Sequence, residues 1–361
     1  MTAGIDWSTL GFDIIKTKSF LKYTWKDGKW DDGVFVSTQN IEMNAFATGL
    51  KAFKDKQGKI RIFRPELNAK RLQLSCAAVS MPSPPVEMFI DGVVRAVKDN
   101  ADYVPPLESK GSMYIRPFVF GSGGCLGLSP SSEFQFIILV NPVGDYYKGG
   151  MGSPCKALIQ YGFDRASPFG VGHVKLGGNY GPVFGPTARA KKDGYLVNLF
   201  LDPKTQTYIE EFGTSNFVAL KKSNGKTVYV TPKSNSILPS ITNRSLAELA
   251  SSFGWEIEMR KIPWNTLQEY DEIAAVGTAV VITPVAQIDR QIPSKEIKET
   301  QVITDLSEMW ERKDEPVELK IESVKVNGDY SGFKELYKAY REIQNGERPD
   351  TFGWMYPADG I

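Results

Sequence analysis

Gly172-His173-Val174-Lys175-Leu176-Gly177-Gly178-Asn179-Tyr180-Gly181-Pro182 is the stretch on which the reading of this chain turns. It sets a lysine at the end of a short predicted strand, followed at once by a Gly-Gly turn and a phenol. Glycine has no Cβ and tolerates positive φ, so such a turn lets the backbone come close to a flat ring. A lysine amine beside it suits an aldehyde held as a Schiff base.

Working outward from Lys175, three further blocks follow in chain order. They are Glu211-Phe212-Gly213-Thr214-Ser215-Asn216, then Leu238-Pro239-Ser240-Ile241-Thr242-Asn243-Arg244, then Val276-Gly277-Thr278-Ala279. The second opens a predicted helix whose first amides, at Ile241 and Thr242, form an anion site. Upstream lies Tyr114-Ile115-Arg116-Pro117 on a predicted strand, where residues two apart face the same way, so Tyr114 and Arg116 are expected to look into one pocket.

Length and composition set the frame. A chain of 361 residues suggests about two domains. Lys+Arg 43 against Asp+Glu 42 leaves no field to attract nucleic acid or an acidic membrane surface, so a small molecule or another protein chain is the expected partner. Cys76, Cys125 and Cys155 form no C-x-x-C pair and no zinc-type spacing, and a single histidine, His173, argues against most zinc sites. No metal is expected. The N-terminus carries no leader pattern and no run is long enough to span a membrane, so the cytoplasm is the expected compartment.

Hairpins are predicted over residues 21–36, around Asp27-Gly28, and over 50–64. Helices are predicted from Pro65 to Leu74, with an apolar side at Leu67, Leu72 and Leu74, and from Val86 to Val97. Strands return at Met113 to Phe120 and Phe134 to Val140. The Gly-rich stretch 148–155 is the expected boundary, giving domains 1–148 and 149–361. Beyond it come a helix over 183–192, a hairpin from Leu196 to Phe212, and a helix after Pro239 that stops at Gly254. A Lys/Glu-rich surface excursion over 294–322, a helix over 331–344 and an aromatic tail at Phe352, Trp354 and Tyr356 complete the chain.

Taken together, the Lys-Leu-Gly-Gly-Asn-Tyr-Gly-Pro and Glu-x-Gly-Thr-x-Asn blocks make the chain resemble the branched-chain amino acid aminotransferases of the class IV, fold type IV pyridoxal-phosphate enzymes, and more the eukaryotic type. The likeness runs from about Lys18 to Tyr356. It implies an α+β architecture with an N-terminal open α/β sheet domain and a C-terminal pseudo-barrel. It implies pyridoxal 5'-phosphate as cofactor, with Lys175 forming the internal aldimine and carrying the proton, Tyr180 on the phenolic oxygen and Glu211 on the pyridine nitrogen. Arg95, Thr214, Ile241, Thr242 and Thr278 are implied for the cofactor. Tyr114, Arg116, Thr278 and Ala279 are implied for the substrate, with Arg116 receiving the second carboxylate of glutamate. Gly124-Cys125-Leu126-Gly127-Leu128 resembles a loop lent by a partner subunit, which implies a homodimer. The implied activity is ping-pong transfer of the amino group between leucine, isoleucine or valine and 2-oxoglutarate. His173 is expected to line the pocket or the core rather than to carry protons.

The region Ile41 to Gly49 departs from the family: it is shorter and lacks the family's Phe-Glu-Gly. Either the enzyme has a more open pocket or the chain has lost a segment. Two rivals stand beside the main reading. One is another fold type IV enzyme, acting on a D-amino acid, an amine or aminodeoxychorismate; the other is a non-catalytic descendant of the fold.

Overall fold

The hairpin signals at the start of the chain are carried by turn chemistry. In the computed structural model, which describes residues 4–38, 49–124, 126–144, 151, 153–294 and 318–358, Asp27 and Gly28 both take positive φ between β1 (Ser19–Lys26) and β2 (Lys29–Trp30). That is the turn whose twist matches a right-handed hairpin. Strand β3 (Val34–Ser37) pairs with β1, and β4 (Leu50–Lys54) with β5 (Ile60–Phe63). Helices α1 (Pro65–Ala78) and α2 (Val86–Asp99) follow, then β6 (Ser112–Gly121) and β7 (Glu133–Val143).

After residue 150 come β8 (Cys155–Ile159), α3 (Phe184–Lys192), β9 (Val197–Leu201), β10 (Ile209–Phe212), β11 (Asn216–Ser223) and β12 (Lys226–Pro232). Helix α4 (Ile241–Ser252) leads to β13 (Glu256–Arg260), β14 (Glu272–Gly277), β15 (Val281–Pro293) and β16 (Leu319–Lys325). Helix α5 (Ser331–Gln344) and β17 (Met355–Pro357) end the chain.

The first sheet runs β17-β5-β4-β6-β7-β1-β2, with β3 on β1. Helix α2 lays Phe89, Val93 and Val97 on it, and Gly92 is where it comes closest. A Cβ there would sit 2.8 Å from Ile138 Cδ1 and 3.0 Å from the Tyr23 ring, so a larger residue would push the helix off the sheet. The second sheet runs β10-β9-β8-β15-β14-β11-β12-β13, and a further pairing of β10 with β11 closes six of these strands into a barrel. That closure is the bridge Glu211↔Asn216.

Four expectations change. Lys175 is not on a strand: residues 171–176 are turns and irregular backbone, followed by a short 3-10 helix at Gly177–Asn179. Asn179 Nδ2 holds this loop through the carbonyls of Val171 and Val174. Leu74 is exposed, and the buried face of α1 instead carries Asn68, Arg71 and Ser75 with Leu72. Residues 319–322 of the supposed surface excursion belong to β16, paired antiparallel to β15. The aromatic tail returns to the first sheet, with β17 on β5, so residues after 149 serve both sheets. The expected boundary near 148, the shortened region 41–48 and Cys125 lie outside the described residues.

The two sheets are tied by Arg64, which opens α1 in a left-handed conformation, φ 46°. Its guanidinium donates to Glu248 Oε2 at 2.7 Å and to Ser245 Oγ at 2.8 Å on α4. Trp354 Nε1 donates to the same Glu248 oxygen at 3.0 Å, and Arg64 stands over the Trp354 ring. Burial pushes Glu248 up, but the hydrogen bonds from Arg64 and Arg244 outweigh it and hold the carboxyl below the usual glutamate value.

We expect Glu248→Ala to cost about 2 kcal/mol in urea unfolding, because it leaves a buried guanidinium unpaired. The contribution of Glu248 is present above the unfolded carboxyl value of about 4.3. It is lost as the pH falls through the lower folded value, so the wild-type and variant curves should converge in acid.

Candidate active site

Between the barrel and the first sheet lies a cavity of about 150 Å³. From the barrel side it is lined by Lys175, Tyr180, Glu211 and Thr214 and by the turn Gly277-Thr278-Ala279-Val280; from the first sheet come Tyr114 and Arg116. Lys175 is fixed at both ends. Its amide donates to Ser75 Oγ of α1 at 2.9 Å, and its Nζ donates to Tyr180 Oη at 2.7 Å.

Glu211 is a buried carboxylate with a full set of partners. Arg165 lies 2.8 Å from Oε1, the Leu238 amide donates to Oε1 at 3.0 Å, and Asn216 Nδ2 donates to Oε2 at 2.7 Å. Burial pushes Glu211 up to about 7, against the opposing pull of Arg165, the Leu238 amide, Lys175 and Asn216. The site therefore holds a carboxyl poised near neutrality, facing the same space as a lysine amine.

The anion end is built differently from the expectation. Arg95 is not at this cavity: it donates to Tyr23 Oη at 3.1 Å and to the Asp32 carbonyl at 2.9 Å, on the far side of α2. The arginine that α1 brings to the cavity is Arg71, buried and donating to the Pro239 carbonyl at 3.3 Å and to Asn68 Oδ1 at 3.2 Å. Burial pulls Arg71 below the usual arginine value, opposed by Tyr180 and Tyr114. The reason for the difference is the helix face: Arg95 is half-buried over the rings of Tyr23 and Phe35, whereas Arg71 belongs to the polar stripe that α1 turns inward.

Ser240 caps α4 by accepting the Asn243 amide at 3.1 Å, a bond that does not use the amides of Ile241 and Thr242. Ile241 and Thr242 line a small recess that shares Gly49 and Thr278 with the main cavity. The turn after β14 is followed by Val281 at φ 58°, a conformation that costs a β-branched residue on the order of 1–3 kcal/mol. That strain sits next to Thr278 and Ala279. His173 is exposed, not pocket-lining or core.

Three cavity residues escaped the sequence reading. Arg71 left a signal, since Asn68, Arg71 and Ser75 share one face of α1 at helical spacing. Arg165 left none, because it sits in an irregular loop. Arg165 is almost fully buried, and its Nε has no hydrogen-bond partner among the described residues. Phe12, from the N-terminal arm, also reaches the cavity, its ring edge-on to Tyr114 with centroids 5.3 Å apart. Among the described residues no cluster of three or more His, Cys, Asp or Glu could hold a metal ion.

A family model described as amino-transferase class IV matches residues 48–288. A branched-chain-amino-acid aminotransferase of Helicobacter pylori is 40% identical over 363 residues, covering 98% of this chain and 97% of that protein. Aminotransferase poxL of Penicillium oxalicum is 35% identical over 366 residues, covering 98% and 93%. Among solved structures, the branched-chain amino acid aminotransferase of Thermobaculum terrenum in its PLP form superposes with a TM-score of 0.69 at 20% identity, over 95% of this chain and 99% of that one.

Arg165→Met should leave Glu211 buried without its cation and cost on the order of 3–5 kcal/mol. Glu211 already titrates above its unfolded value, so the folded protein holds a proton that the unfolded chain releases, and stability falls as the pH rises from about 4.3 towards 7. Removing Arg165 raises Glu211 further. The fall should then continue above pH 7, which melting curves across pH 4–9 would register.

Proposed function

The chain belongs to the class IV aminotransferases, and from that premise we propose that it moves the amino group between branched-chain L-amino acids and 2-oxoglutarate, as a homodimer, using pyridoxal 5'-phosphate at Lys175. The observation that carries this reading is the meeting, in one cavity, of the Lys175 amine 2.7 Å from the Tyr180 hydroxyl with the buried Glu211 and Arg71.

The donor set fits that cofactor. It offers an amine for the aldehyde, a phenol for the ring oxygen and a buried carboxyl for the ring nitrogen. For the phosphate it offers Arg71, the start of α4 at Ile241 and Thr242, and Thr278. When bound, pyridoxal phosphate supplies an electron sink for negative charge at the substrate Cα. The residues of this chain do the rest. Lys175 Nζ takes and returns the proton at Cα, and the Tyr180 hydroxyl holds that amine in position. Glu211, kept in place by Arg165, Leu238 and Asn216, ionises fully when a cation is set against it.

On the substrate side, Tyr114 and Arg116 project from one face of β6. The guanidinium of Arg116 matches the second carboxylate of glutamate, and Phe12 offers an apolar wall to an aliphatic side chain. Leu126 and Leu128 stand fully exposed in the loop after β6, which supports a second copy covering them. No helix among the described residues is long and apolar enough to cross a membrane, in keeping with a cytoplasmic enzyme acting on small molecules.

With pyridoxal phosphate added, the protein should develop a visible absorption band that L-leucine discharges and 2-oxoglutarate restores. Lys175→Ala should slow the half-reaction by about 10²–10⁴-fold or more. A band discharged by D-alanine or an aromatic amine and untouched by L-leucine would transfer the protein to the other fold type IV activities.

A further inference from the structure

A second chamber, of about 120 Å³, adjoins the active-site cavity, and the two share Phe12, Tyr114 and Arg116. Its floor is the continuation of the substrate-facing side of the first sheet. In the antiparallel β6–β7 register Tyr114 stands opposite Asn141 and Arg116 opposite Leu139, so these four residues and Val143 project from the same face. Its roof is the N-terminal arm. The Ile15 amide donates to Asn141 Oδ1 at 2.7 Å, Asn141 Nδ2 donates to the Asp13 carbonyl at 3.0 Å, and the Gly144 amide donates to the Gly11 carbonyl at 2.8 Å. At Gly144 a Cβ would lie 2.1 Å from the Leu10 carbonyl oxygen, so only glycine lets the arm lie this close.

The walls the arm and sheet present are largely apolar, at Phe12, Ile14, Leu139 and Val143. The edge-to-face pair of Phe12 and Tyr114 lines both this chamber and the cavity that holds Lys175.

We propose that this chamber receives the distal part of the substrate side chain, so that the preferred amino donors are L-amino acids whose linear or arylalkyl side chains exceed that of leucine. The inference rests on the transaminase reading above and extends it to substrate class. Each methylene seated in an apolar pocket contributes up to about tenfold or more in specificity, which a chain-length series reads directly.

The test uses the pyridoxal-phosphate-loaded protein and the half-reactions of L-norvaline, L-norleucine and L-2-aminooctanoate, with the wild type, Ile14→Trp and Leu139→Phe. Ile14 lines the chamber and is 72% exposed, so tryptophan there adds bulk at the chamber wall without straining the core, and it keeps the test decisive where Leu139→Phe fails to fold. The wild type should favour L-2-aminooctanoate over L-norvaline by about tenfold or more, and each folded variant should lower that ratio by about tenfold. Octanoate binding, followed by calorimetry on the same loaded proteins, should weaken in parallel. A wild-type series that declines beyond L-norleucine, or a ratio that Ile14→Trp leaves unchanged, overturns the proposal while the short substrates still react. If no amino acid of any length discharges the band, the transaminase reading itself fails and the chamber proposal falls with it.

Discussion

The barrel closes at a buried carboxylate. Glu211 and Asn216 form the bridge that joins β10 to β11, and Asn216 also donates to Glu211 Oε2. A charge in that position is costly unless every lone pair is met, so the surroundings are arranged to meet it. Arg165 comes from the loop before Lys175, and the Leu238 amide from the approach to α4. One ionisable group thus draws together the lysine loop, the barrel seam and the entry to α4. Its raised pKa is the residue of incomplete compensation, and it leaves the group ready to respond to a cation placed before it.

Helix α1 is the second organising element, because beside the apolar Ala69, Leu72 and Cys76 it buries a polar stripe. Ser75 accepts the Lys175 amide, Arg71 reaches the Pro239 carbonyl just before α4, and Asn68 accepts from Arg71 while donating to the Arg64 carbonyl. Lys51 adds a bond of 3.3 Å from its Nζ to the Ala279 carbonyl in the turn after β14. These bonds hold the two sheets in register across the cavity. Hydrogen bonds with charged groups contribute about 1.5–3 kcal/mol each, and they are directional, which apolar contact is not. The position of Lys175 against the first sheet is therefore fixed by polar contacts.

Much of this was legible in the linear order of residues. The hairpins at Asp27-Gly28 and Asp55–Gly58, helices α2, α4 and α5, and the long pair β6–β7 follow from turn residues and hydrophobic period, since those patterns need only local geometry. Lys175, Tyr180, Glu211 and Thr278 announce themselves by block and spacing, and the fold brings them to one cavity. Arg95 misled because an arginine on an amphipathic helix looks the same whether its stripe faces solvent or a site. Leu74 misled for the converse reason: α1 buries Asn68, Arg71 and Ser75, against the usual polarity of a helix face.

The residue order alone determined the family, the α+β class and the lysine that the cavity holds, because short motifs with fixed backbone demands survive as strings. Tertiary structure alone decided which arginine meets the cavity, which cation compensates Glu211, and that an apolar chamber continues from Tyr114 and Arg116 beneath the N-terminal arm. Those facts join residues 12, 71, 116, 165 and 211, which no local period relates. Distances between such residues are set by the closure of the barrel and the docking of one sheet on another, and only the folded chain contains them.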